Sequence, residues 1–153
     1  MNYRIERKNS FAVVGVMQRL STGDSLGESI GKMWYETPQD IIAQIAGLGN
    51  ELVGVYSGMY EDNTTDYYIA AITEKDPPET LCKLEIAPHT WAIFEITGPM
   101  PTAMGEMWGR IFSEWFPASG YEHAEAPEVE WYSNGDMSSS DYKSEIWIPV
   151  IKK

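Results

Sequence analysis

One cysteine, two histidines and eleven lysine and arginine residues are all that this 153-residue chain holds of three kinds of chemistry. A lone Cys82 excludes an internal disulfide and any paired CxxC, and the sequence contains neither an HExxH pair nor enough histidine to build a transition-metal site, so no metal is expected. His123 between Glu122 and Glu125 is read as part of a polar loop, and Cys82 as buried strand packing. No GxxxxGK[ST] or GxGxxG cradle is present for phosphate, and no cofactor is called for. The 11 basic residues face 23 acidic ones, a net charge of −12 that repels nucleic acid and anionic lipid and attracts cations. Neither a signal peptide nor an apolar run of membrane-spanning length is found, which places the expected protein in the cytoplasm, away from membranes.

Apolar and aromatic residues, by contrast, are plentiful. Hydrophobic residues make up 43% of the chain, enough for the core of one domain, and six Trp and nine Tyr exceed what closing that core requires. Three matched pieces recur in order. "FAVVGV" (Phe11 to Val16) parallels "WAIFEI" (Trp91 to Ile96) as alternating strands, "IGKMWYE" (Ile30 to Glu36) parallels "MGEMWGR" (Met104 to Arg110) as helix, and "GVYSGMYEDNTTDYYIAAI" (from Gly54) parallels "EWYSNGDMSSSDYKSEIWI" (from Glu130) as hairpin. Offsets of about 75 residues point to a duplicated β-α-β-β unit, with half-repeats over about 1–77 and 82–153 joined at "EKDPPET". The expected fold is therefore α+β: one domain over 1–153, two units about a pseudo-twofold axis, an antiparallel sheet and two main helices. Pro38 is expected to split the first helix and Pro117 to stop the second, whose inward face is either Met107 or Trp108, then Ile111 or Phe112. The acid-rich pieces "EDNTTD" and "EHAEAPEVE" read as solvated loops.

The order of these pieces, together with "FEITGPMP" before the second helix, "EWFPASGYE" at its exit and the closing "SEIWIPV", resembles the GyrI-like family. These are the AraC-type effector-binding domains, also found as the ligand-sensing half of multidrug-responsive regulators. The resemblance covers essentially the whole chain. It implies a cleft bordered by the two helices and the sheet, with a glutamate of the last strand at its base engaging lipophilic cations; by position that residue is Glu145. The regulators join this domain to a helix-turn-helix, for which the sequence leaves no room, so a free-standing binding domain is expected, monomeric or weakly dimeric.

The residues support a similar reading. Alternation puts Glu145 on one strand face with Trp147, and a carboxylate in an apolar strand is costly to ionise yet strongly attracts an arriving organic cation. The ligand-binding set expected is Glu145, Trp147, Trp34, Trp108, Phe94 and Tyr56, taking a small lipophilic cationic molecule for sensing or sequestration. The resemblance leaves two alternatives. One is a hydrolase of strained electrophilic rings, with Glu145 as base and Tyr56, Tyr68 or Tyr132 supplying a hydroxyl. The other is an inhibitor module that binds a protein partner through its acidic surface.

Overall fold

The computed structural model describes residues 1–153, which form an α+β fold of nine strands and four short helices. The chain divides into two compact units, an N-unit of Ser10–Ala87 and a C-unit of Met1–Asn9 with Pro88–Lys153. The contiguous halves read from the sequence are thus not the compact units, because each takes its outer strand from the other half. Strand β1 (Tyr3–Lys8) pairs with β6 (His89–Thr97), and β5 (Cys82–Ile86) pairs with β2 (Phe11–Ser21).

In the N-unit the antiparallel order is β5-β2-β4-β3, with β3 at Leu52–Ser57 and β4 at Thr64–Ile72. Gly15 of β2 permits close approach, since a Cβ there would stand 1.9 Å from the Ile69 carbonyl oxygen. Cys82 lies on the outer strand β5 and is exposed, a correction to its expected burial: strand type was legible, but the outer position is set by a partner far along the chain. Helices α1 (Leu26–Glu36) and α2 (Gln39–Ala46) are separated at Thr37-Pro38, as the proline requires. Their apolar stripes close over Val14, Tyr67, Ile69 and Ala71. No helix of the chain is long and apolar enough to cross a membrane.

The C-unit runs β1-β6-β9, with β9 (Lys143–Lys152) continuing into β8 (Glu128–Tyr132) along one part of its length and β7 (Tyr121–His123) along another. Register then assigns the faces. Phe94, Ile146 and Glu130 stand side by side on one face, while Ile93, Trp147 and Val129 occupy the other. Helix α3 (Thr102–Arg110) covers the first face, and the helical path it begins ends at Ala118, one residue past the expected stop at Pro117. The helical path continues through a π-helical turn, Ile111–Trp115, into the short α4, Phe116–Ala118. A step of four residues overshoots an α-helical turn by about 40°, and the wider π turn absorbs that drift. Ile111 and Trp115 therefore both face inward and are buried, while Trp108, Phe112 and Phe116 stay aligned on a second side.

Candidate functional site

The C-unit sheet carries two glutamates of interest, on opposite faces. Glu145 has a side chain 17% exposed, as half-burial beside Trp147 requires, and accepts a hydrogen bond from Trp147 Nε1 at 2.8 Å. Its charge is already opposed: Arg4 Nη1 of β1 lies 3.3 Å away. Lys8 Nζ of the same strand stands 4.6 Å over the Trp147 ring, so a lysine of the chain already supplies the cation–π partner expected of a ligand.

The other glutamate lies under the helix. Glu130, in the stretch expected to be a solvated loop, is instead in strand β8 and only 5% exposed. Alternation along "EVEWY" places it with Tyr132 on the helix-covered face and turns Val129 and Trp131 the other way. Trp108 Nε1 donates to Glu130 Oε2 at 2.7 Å, and the Tyr132 hydroxyl donates to Oε1 at 2.7 Å. Both of these donors are neutral groups that suit a carboxylate acceptor. Above it the Trp108 ring stacks on Phe112, with centroids 6.1 Å apart and planes at 11°, and Phe112 is 51% exposed. A buried carboxyl group thus sits beneath a partly open aromatic wall.

The six expected site residues fall into three groups. Glu145 and Trp147 are together on the face away from the helix. Trp108 is over the opposite face, and Phe94 lies within that face, fully buried against Trp115 at 5.0 Å between centroids. Trp34 and Tyr56 meet in the N-unit around Tyr67: Trp34 Nε1 donates to the Tyr67 hydroxyl at 2.9 Å, and the Tyr56 ring lies 5.1 Å from that of Tyr67. Sequence reasoning missed Glu130, although two signals marked it. It stands two residues before Tyr132 in an apolar alternation, and the repeat aligns it with Gly54, where the N-unit has no side chain at all.

Farther along the aromatic row, Phe116 stacks on His123 at 6.3 Å, and His123 Nε2 lies 3.3 Å from Glu128 Oε2. This carboxylate, rather than Glu122 or Glu125, is the partner of His123, which lies in strand β7 rather than a loop. Nδ1 faces the Ala124 carbonyl oxygen at 2.5 Å, an acceptor only, so it must carry its proton. The hydrogen bond to Glu128 then favours a second proton on Nε2 and raises the His123 pKa above its ordinary value, against the opposing effect of burial. A raised folded-state pKa stabilises the protonated protein. The contribution is complete below the unfolded value of about 6.5 and is lost as pH rises through the higher folded value. Thermal melts between pH 5.5 and 8.5 should show the native protein losing stability over that rise, and His123→Gln should remove this component; coincident slopes for the two proteins would contradict the pairing.

Residues 1–151 match the GyrI-like small molecule binding domain. The chain belongs to that family. Among solved structures, SAV2435 bound to tetraphenylphosphonium has the same fold, with a TM-score of 0.87 at 23% identity over 99% of this chain and 94% of that one. A putative transcription regulation protein of Staphylococcus aureus MU50 is similar at a TM-score of 0.80 and 24% identity, covering 98% of each chain. A 45-residue segment is 42% identical to a DNA gyrase inhibitor of Erwinia billingiae strain Eb661, a match that spans 29% of this GyrI-like chain and 29% of that relative's length.

Proposed function

We propose that this GyrI-like domain binds lipophilic organic cations and that Glu130, rather than Glu145, supplies the charge that selects them. The observation that carries the reading is the buried Glu130 carboxylate held by Trp108 and Tyr132. In low-dielectric surroundings a formal negative charge attracts a cation far more strongly than it would in water, and the neighbouring aromatic faces suit a large apolar ion that is weakly hydrated. SAV2435, which shares the fold, is bound to such an ion. Glu145 fits less well, because Arg4 opposes its charge from within the sheet.

Binding also fits this carboxylate better than hydrolysis does. Each Glu130 oxygen already receives a donor at 2.7 Å, an arrangement that fixes the group in place rather than leaving it to orient a water for general-base chemistry. The role is that of a sensor or sequestering protein. Calorimetric titration with tetraphenylphosphonium and with triphenylphosphine oxide, an uncharged counterpart of similar shape, tests the charge preference. The cation is expected to bind at least about tenfold more tightly, equivalent to ~1.4 kcal/mol; equal affinities would refute the reading.

A further inference from the structure

Below the exit of the helical segment, the C-unit has an open groove of about 310 Å³, at the lower end of the range of small-molecule sites. Its walls are Phe112, Phe116, Pro117 and Tyr121, and its rim carries His123, Glu122 and Lys153. Three facts narrow what it suits. The walls are flat rings, and Phe112 keeps half its surface in solvent, an exposure that costs free energy unless something covers it. The charged side chains about the groove are of both signs: Glu128 is paired with His123, and the lining holds one acid, Glu122, and one base, Lys153, so no single sign of charge dominates. Finally, both edges of the His123 ring are taken, Nδ1 by the Ala124 carbonyl and Nε2 by Glu128. One face of the imidazole is stacked on Phe116, so it has only the other face to offer, and a protonated ring face attracts an electron-rich π system.

We propose that this groove is a second ligand site, which takes an uncharged, planar, electron-rich aromatic molecule against Phe112, Phe116, Tyr121 and the face of His123. Its chemistry differs from that of the Glu130 site, which selects for positive charge. The paired Glu128 keeps His123 protonated to higher pH than an isolated histidine, so the preference extends toward neutrality.

Indole, uncharged between pH 5.5 and 8.5, is the probe, with cyclohexanol as the non-planar control. Calorimetric or ligand-observed NMR titrations of the full chain should show saturable indole binding, several-fold tighter than cyclohexanol, and weakening about threefold or more between pH 5.5 and 8.5 as the cation–π contribution is lost. His123→Phe keeps the ring and should flatten that pH profile. Phe112→Ala, at an exposed position, should weaken binding about fivefold or more while leaving the circular dichroism spectrum unchanged. Binding should persist in Glu130→Gln, which separates this site from the one proposed above. Absence of saturable binding, loss of indole binding in Glu130→Gln, or indifference to both His123→Phe and Phe112→Ala would overturn the proposal.

Discussion

Glu130→Gln should weaken tetraphenylphosphonium binding by roughly 10- to 150-fold, or ~1.5 to 3 kcal/mol, the usual worth of an interaction with a buried charged group. Glutamine has the same shape. Its carbonyl oxygen can accept from Trp108 Nε1, and its amide can donate to the Tyr132 hydroxyl, which rotates to accept, so the two hydrogen bonds around position 130 survive while the charge disappears. Affinity for triphenylphosphine oxide should then change by no more than about twofold, since no formal charge is recognised in that complex. The matching experiment is Glu145→Gln. There the lost partner is Arg4, whose side chain is 44% exposed and can return to water, so cation affinity is expected to stay within about threefold of native. Calorimetry on both variants with both ligands completes the comparison. The opposite ranking, with Glu145 dominant, would restore the last-strand glutamate as the selecting charge.

Phe94→Ala is expected to destabilise the protein by ~3 to 5 kcal/mol, in line with truncation of a fully buried aromatic. Phe94 has no exposed surface; it stands between Tyr3 of β1 and Ile146 of β9, with Trp115 edge-on at 5.0 Å and Tyr3 at 5.7 Å. Removing the ring opens a cavity where β1 joins the C-unit and where the π-helical turn rests on the sheet. A chain of this length shifts its melting temperature by about 2 to 4 °C per kcal/mol, so a drop of roughly 6 to 20 °C should follow. Urea denaturation measures the same quantity. A cost below ~1 kcal/mol would mean that the ring is a surface for ligand, as the sequence suggested, rather than part of the packing.

What was legible in the sequence was local. Alternation identified β6 and β9 and put Glu145 with Trp147, and the proline at position 38 divided the N-unit helices. What was hidden depends on partners distant along the chain. Nothing near Glu145 announces Arg4, which reaches it because β1 joins β6 and β6 joins β9. The same exchange of outer strands separates the compact units from the contiguous halves and leaves Cys82 exposed. Glu130 was obscured for a different reason. Four acids between Glu122 and Glu130 give that stretch the composition of a solvated loop, and only the alternation of its last residues reveals a strand with one carboxylate turned inward. The choice between Ile111 and Phe112 needed the π turn, which leaves no clear trace in residue type.

The central claim is that a cation is held by Glu130. A crystal structure of the tetraphenylphosphonium complex tests it most directly, because phosphorus scatters strongly enough to mark the ion's centre. The account predicts the phosphorus nearest to the Glu130 carboxylate, with phenyl rings against Trp108 and Tyr132; phosphorus beside Glu145 and Trp147, or remote from both glutamates, would contradict it.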